Sequence, residues 1–438
     1  MPVLPLIFKQ GDEGGVFMAK RATVKKRAGR KAGKEPRKRW DWTEGGGERA
    51  IEGTGELPLM YIALGSTPRT AHPFNLYRDI MSSPQALADT LQSIPAEVSR
   101  VAAAIVKRKI RRVIGTGLGT SQFVAMAAAS ALGNFAGFDG GQVDSGEFLT
   151  SERDWDLKHS AFIVFSGSGR TLDANDAARK AKAGGAYVVA VTSVPFSPLT
   201  KISDDVIVCK GGFDTGGSDT FHYMTRTAAS VLLAIELGKR AAPGRRDFVK
   251  LRRELDSVPA WLKENLGRLD GRCRTIARRH QNARAFIIVG GGVNLATAEE
   301  FALKFDEMAH IPAKAMCPDR HIHGALGLTD ERIVTAVIAP AGPSMPWLKP
   351  IAQATVGLKT PSIGLVREDD EEIAPLMDYV VRLPNLDETI FAVAATFPVQ
   401  LIPYYCAVEL GGINPDTQRS NVPKHARVWM NLFPPGSH

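Results

Sequence analysis

One stretch constrains this chain more than any other: residues 161–171, AFIVFSGSGRT. The apolar run Phe162-Ile163-Val164-Phe165 ends abruptly at Ser166-Gly167-Ser168-Gly169, and beyond Thr171 the alanines at 174, 177, 178 and 181 recur at helical spacing. The pattern predicts a strand, a tight loop and a helix. A loop that feeds a helix presents unpaired backbone N–H groups and the positive end of the helix dipole, and here three hydroxyls, Ser166, Ser168 and Thr171, surround them. That chemistry suits a phosphate, although an ordinary turn with a serine N-cap has the same residues.

The unit is not alone. Residues 111–115 form a short apolar strand that runs into Thr116-Gly117-Leu118-Gly119-Thr120-Ser121 and an alanine-rich helix from Phe123. A dinucleotide site would want a third glycine where Gln122 stands, and no Gly-Lys-Ser/Thr follows these strands to make a phosphate loop of the nucleotide-hydrolase kind. Upstream, Leu76, Ile80, Leu87, Leu91, Ile94, Val98 and Val101 predict two helices broken at Ser82-Ser83-Pro84. Further strands at 187–192 and 206–209 and helices at 223–239 and 248–280 complete the first round. Ala285-Phe286-Ile287-Ile288-Val289 then runs into Gly290-Gly291-Gly292, and strands at 334–339, 360–366 and 379–383 with a helix at 389–410 repeat the order.

Strands alternating with helices imply two tandem α/β domains, each a three-layer αβα unit around a mostly parallel sheet, with ligands at the carboxyl ends of the strands. The expected division is a tail over 1–50, a first domain over 51–245 and a second over 246–438. The second half lacks a counterpart of SGSGRT: after Ala339 comes Pro340-Ala341-Gly342-Pro343-Ser344. One domain, the first, is therefore expected to hold the phosphate.

Composition sets the remaining bounds. A length of 438 residues favours two domains, and 44% hydrophobic with 23% charged residues is the balance of a soluble globular protein. Cys209, Cys273, Cys317 and Cys406 are far apart and form no CxxC, which argues against a disulfide framework and a zinc site and favours a cytoplasmic setting. The net charge of +9 is concentrated: residues 1–50 carry 13 Lys or Arg against 6 Asp or Glu, so the remainder is nearly neutral. Residues 20–39 are expected to be a disordered basic tail, and nucleic acid is not an expected partner. No secretory signal is read at the start, and no apolar run approaches the roughly 20 residues of a membrane span; the best, 228–237, is about half that.

The second half carries the titratable groups. Apolar residues at 295, 298, 302, 305 and 309 form a core stripe, while Glu300 and Glu307 fall seven residues apart on another face, Glu300 in position to pair with Lys304. After Glu307, His321 and His323 lie in a loop bounded by Pro318 and Gly324. No carboxylate and histidine set at helical spacing accompanies them, so no metal is expected, and acid–base work beside a carboxylate suits a histidine better. In the tail beyond Gly411-Gly412, Lys424 is either a solvated lysine or an amine brought back to a carbonyl substrate.

Taken in this order, the motifs resemble the double-SIS (sugar isomerase) family, most closely the isomerase half of glucosamine-6-phosphate synthases. SGSGRT is similar to the family's S-x-S-G-x-T loop and Gly119-Thr120-Ser121 to its G-T-S loop; residues 290–307 match the second-domain strand-to-helix segment without a gap, register holds to His323-Gly324, and Phe397-Pro398-Val399-Gln400-Leu401 with Tyr404 resembles the last helix. The resemblance implies two flavodoxin-like domains, no cofactor and a homodimer whose sites are completed across the interface. It implies a hexose or amino-hexose 6-phosphate as substrate, isomerised or deaminated through an enediol or enediolamine, or else bound by a non-catalytic regulatory protein. Thr120, Ser121, Ser166, Gly167, Ser168 and Thr171 would hold the phosphate, Ser218 would face the sugar, Glu307 would move the proton, His323 would assist ring opening and Lys424 would meet the open-chain sugar. The residues depart from the family in three places. The S-T-K element stands as Ser218-Asp219-Thr220 without its lysine, Arg320 replaces an acidic residue, and one extra residue separates Arg419 from Lys424. No glutaminase domain with its cysteine nucleophile is read in the chain, so glutamine-dependent transfer is not expected.

Overall fold

The computed structural model describes residues 69–212 and 214–416. The first sheet consists of β1 (Arg112–Gly117), β2 (Asp139–Asp144), β3 (Ser160–Phe165), β4 (Tyr187–Thr192) and β5 (Asp205–Val208), in the order β2-β1-β3-β4-β5. The second consists of β6 (Ala285–Gly290), β7 (Ala313–Met316), β8 (Ile333–Ala339), β9 (Ser362–Arg367) and β10 (Tyr379–Leu383), in the order β7-β6-β8-β9-β10. The two orders are the same, and every pairing is parallel. Parallel strands need crossovers and are covered on both faces, which is why β3, β4 and β8 read as unbroken apolar runs and are buried throughout.

Around the first sheet run α1 (Asn75–Ser93), α2 (Pro95–Lys107), α3 (Thr120–Ala131), α4 (Ser145–Thr150), α5 (Leu172–Ala183), α6 (Pro198–Ile202) and α7 (Phe221–Ala241). Around the second run α8 (Phe248–His280), α9 (Asn294–Lys304), α10 (Pro318–Ile322), α11 (Met345–Leu358) and α12 (Glu388–Leu410). The two halves share one core cluster, to which α3, α7, α9 and α12 contribute. Asp416 fastens the start of α1 by accepting the backbone N–H groups of Arg69, Asn75 and Leu76 at 3.0, 3.0 and 2.9 Å.

Three expectations need correction. The break foreseen at Ser82-Ser83-Pro84 is absent: α1 continues through Pro84, and the interruption falls at Ile94, with Pro95 in the first turn of α2. The buried face of Leu76, Ile80, Leu87 and Leu91 offsets the roughly 3 kcal/mol that an interior proline costs, whereas a first-turn proline has no N–H to lose. Strands β2 and β7 escape a reading of apolar runs because both are sheet edges, one Gly-rich and the other four residues long. Among the described residues one helix, α12, has the length and composition of a membrane span, and its apolar stretch is buried inside the protein.

Candidate active site

Strands β1 and β3 are neighbours whose chains leave in opposite directions, and both glycine-hydroxyl loops lie at their carboxyl ends. Gly119 and Gly169 adopt φ of +52° and +63°, where a side chain is disfavoured. A Cβ on Gly169 would also collide with the Ser197 hydroxyl. The SGSGRT loop is tied from within: the Gly169 N–H donates to Ser166 Oγ at 3.1 Å, the Arg170 N–H to Ser168 Oγ at 3.2 Å, and Ser166 Oγ lies 3.3 Å from Thr171 Oγ1.

Arg226, fully buried on α7, lies beside both loops and bonds to the first. Its Nη1 donates to Ser121 Oγ at 2.6 Å, its Nε to the His222 carbonyl at 2.9 Å, and its Nη2 pairs with Asp219. Its Nη2 also lies 3.7 Å from where a Cβ on Gly167 would stand. Behind it, His222 Nδ1 meets Asp214 Oδ2 at 2.7 Å and Nε2 meets the Gly212 carbonyl at 2.7 Å. Burial pulls the imidazole pKa down, but Asp214 more than compensates and holds it above its ordinary value, so both ring nitrogens are donors. Asp214, Asp219 and His222 place possible metal-ligand atoms within 4.8 Å of one another. Both ring nitrogens are already committed and Arg226 neutralises Asp219, so an ion there would have to displace protein partners. Asp79 fixes the same loop from α1, accepting the Thr215 hydroxyl and the Gly216 N–H, each at 2.6 Å. Burial, then the nearby Asp214, push its carboxyl up to about 7.

Opposite this loop, α9 ends in a π-helical turn, Phe305–Ala309. Such turns re-aim side chains and recur at functional sites. This one carries Glu307 towards the first half, where Ser218 Oγ donates to its Oε2 at 2.5 Å. Lys304, 0% exposed, completes the cluster. Its Nζ donates to Glu307 Oε2 at 2.7 Å, Ser218 Oγ at 2.9 Å and Thr120 Oγ1 at 3.2 Å, and lies 3.5 Å from Glu300 Oε1. Thr120 in turn donates to Glu300 Oε2 at 3.0 Å. Burial alone would lower the ammonium pKa, but Glu300 and Glu307 outweigh it and hold Lys304 charged. Glu300 is pushed up to about 7, by burial first and by Asp219 and Glu307 after it, against the pull of Lys304. Glu307 keeps 26% exposure, the one carboxylate of the pair that opens outward.

A raised carboxyl stabilises the fold at low pH and loses that contribution as pH climbs from its unfolded value through its folded one. Glu300 therefore makes stability fall between pH 4.5 and about 7, by on the order of 3 kcal/mol. Glu300→Gln should flatten this part of the profile in denaturant titrations at a series of pH values; an unchanged slope would remove Glu300 as its source.

Of the residues singled out from the sequence, the fold brings Thr120, Ser218 and Glu307 into one hydrogen-bonded cluster and places Ser121 and Gly167 beside Arg226. The Thr120 hydroxyl is already engaged by Glu300 and Lys304. His323 lies exposed at the end of α10, its N–H on the Asp319 carbonyl at 2.9 Å, with no hydrogen bond to the Glu307 cluster. Lys424 and the basic segment 20–39 lie outside the described residues. Sequence reasoning missed Arg226 and read Lys304 only as the i, i+4 partner of Glu300, a pairing the structure keeps at 3.5 Å. The available signal was spacing: residues 300, 304 and 307 fall on one helical face, so two acids flank the lysine.

The SIS domain family model matches residues 107–235 and 281–410, and the chain belongs to that family. The glutamine–fructose-6-phosphate aminotransferase (isomerizing) of Pyrococcus horikoshii is 29% identical over 369 residues, covering 84% of this chain and 60% of the relative. The chain thus spans less than two thirds of that relative's length. Among solved structures, the C-terminal domain of glucosamine-fructose-6-phosphate aminotransferase from Francisella tularensis superposes with a TM-score of 0.71 at 21% identity, over 78% of this chain and 98% of the other. The tagatose-6-phosphate ketose/aldose isomerase of Escherichia coli superposes with a TM-score of 0.67 at 20% identity, over 80% and 97%. These two likenesses establish the fold.

Proposed function

We propose that the chain is a phosphosugar isomerase-type enzyme that moves a proton between C1 and C2 of a hexose or amino-hexose 6-phosphate through an enediol or enediolamine, as an aldose–ketose isomerase or an amino-sugar-phosphate deaminase. The observation that carries this reading is the Glu307–Lys304–Ser218 cluster, which Thr120 joins directly before Ser121, the residue that Arg226 holds beside the SGSGRT loop. The loop would hold the phosphate through Ser166, Gly167, Ser168 and Thr171, with Ser121 and Arg226 beneath it. Anchoring the phosphate converts an encounter into a positioned reaction, and a carboxylate with one partly open face can take a proton from one carbon and return it to the next. The Lys304 ammonium would stabilise negative charge developing on the enediol oxygen. Such proton transfer needs no cofactor. Glutamine-dependent amino transfer, which the name of the longer relative implies for that protein, is not assigned to this chain.

The test is proton exchange: the protein is incubated with fructose 6-phosphate or glucosamine 6-phosphate in deuterated water and label is followed at C1 and C2. Label is expected. Tight binding of both sugars without exchange would favour a regulatory binding protein instead. The buried free thiols of Cys209, Cys273 and Cys406 fit a reducing compartment such as the cytoplasm.

His323 would assist ring opening in the site of a second copy of the chain. In support, it is exposed, as are the apolar side chains of Ile322 and Leu328 near it in sequence, and it makes no hydrogen bond to its own chain's Glu307 cluster. Glu307→Gln and His323→Ala are each expected to be inactive alone. Mixed and re-assembled, they should recover about one quarter of wild-type exchange, since half of the dimers then carry one intact site. Recovery of nothing, with mixed dimers demonstrated, would place His323 within its own chain's site or outside the reaction.

A further inference from the structure

The two halves correspond residue by residue where they cross. Helix α3 ends in a π-helical turn, Leu132–Ala136, as α9 ends in Phe305–Ala309. Gly119 and Gly292 share positive φ at +52° and +54°, and so do Gly137 and His310 at +69° and +54°. In this register Asn134 stands for Glu307, Ala131 for Lys304 and Ala127 for Glu300. The crossing contacts correspond as well: Glu307 reaches Ser218 of the first half, and Asn134 Nδ2 reaches Thr389 Oγ1 of the second at 3.3 Å. The second half should therefore have its own crevice at the ends of β6 and β8.

It has one, a cavity of about 940 Å³ that is separate from the Lys304 cluster and is bounded by Gly291, Gly292, Ser344, Arg245 and Trp347. The starts of α8, α9, α11 and α12 all border it. Asp247 and Asp387 cap α8 and α12, whereas α9 and α11 have no side-chain cap. Glu388 lies against Gly342 and accepts the Ser344 N–H at 3.4 Å, so a carboxylate of the protein already stands at the start of α11, the position that SGSGRT occupies in the first half. Burial raises the pKa of that carboxyl. On the other wall Arg245 is held by the Asn134 and Gly133 carbonyls at 3.1 and 3.2 Å and, among the described residues, has no carboxylate partner. Lys250, on the same lining, is 69% exposed, and its ion pair with Glu254 is long, at 3.8 Å. Trp347, 58% exposed, offers an open ring face at the rim.

We propose that this cavity is a second, non-catalytic binding site for a phosphorylated sugar. The phosphate goes to Arg245 and Lys250, whose charges the cavity leaves least compensated, and the hydroxyls go to Glu388, a ready acceptor, and to the backbone of Gly291 and Gly292. Trp347 covers the apolar face of the ring. No proton transfer takes place there, because Asn134, Ala131 and Ala127 replace the carboxylates and the lysine of the first site. The site is regulatory: the crossing turn that carries Asn134 into it belongs to α3, whose first residue, Thr120, contacts Lys304.

The experiment uses the full chain and glucitol 6-phosphate, which has no carbonyl to react, in titration calorimetry. Two molecules per chain are expected. Ser168→Ala should remove one. Arg245→Met with Lys250→Met should remove the other or weaken it at least about tenfold, leaving the first unchanged. Trp347→Ala, at an exposed position that folding does not need, should weaken the second alone. Binding of one molecule per chain that Ser168→Ala abolishes overturns the proposal, as does a second molecule indifferent to the Arg245, Lys250 and Trp347 changes. Binding of one molecule per chain that the Arg245 and Lys250 changes abolish and Ser168→Ala leaves unchanged would count against the proposed active site and not against this one.

Discussion

Glu307→Gln is expected to lower deuterium exchange into a hexose 6-phosphate by about 10²- to 10⁴-fold, the contribution of a positioned general base. The substitution keeps the shape and leaves an oxygen able to accept from Ser218 and Lys304, so the cluster should survive. It removes the only property the reaction needs, an acceptor basic enough to take a proton from carbon. Because the phosphate loop is untouched, KM should stay within a few-fold while kcat falls, which separates a lost base from a lost binding contact. Stability should change little, since Lys304 keeps Glu300 as counter-charge. Retained exchange in Glu307→Gln, with a folded protein, would end the assignment of the base.

Lys304→Met should cost both activity and stability. The side chain is fully buried between two carboxylates and donates to three oxygens. Its removal leaves Glu300 buried without a cation, a loss of about 3–5 kcal/mol for a broken buried pair. Denaturant midpoints should fall accordingly, most at pH above 7, where Glu300 must carry its charge. The double change Lys304→Met with Glu300→Gln removes the stranded charge and should recover most of the stability but none of the exchange. Recovery of both would reduce Lys304 to a structural counter-ion.

Much of this architecture was legible because its signals are local. The apolar runs of β3, β4, β6 and β8, each followed by a turn with glycines or hydroxyls and then a helix, are the pattern of a parallel sheet. The repeat of that pattern after Gly290 announced the second half. The edge strands β2 and β7 were not legible, being too short or too polar to carry an apolar run. The course of α1 through Pro84 was not legible either, because burial of its far face, a tertiary effect, overrides a local propensity. The site divides the same way. Glu307 and the SGSGRT loop stand out by composition and by family resemblance, whereas Arg226 lies in an apolar helix and looks like a misplaced surface residue.

By itself the sequence determined the fold class, the position of the glycine-hydroxyl loop and the presence of a carboxylate in the crossing segment, since each depends on residue types at fixed short spacing. Only the tertiary structure decided that Lys304, Thr120 and Ser218 meet around Glu307, that Arg226 holds Ser121 and Asp219, and that Glu388 stands at the start of α11. Apart from the Lys304–Glu307 and Arg226–Asp219 pairs, these contacts join residues 44 to 184 positions apart. Nothing in local propensity encodes them: they follow from two similar sheets packing so that each lends a π-helical turn to the other.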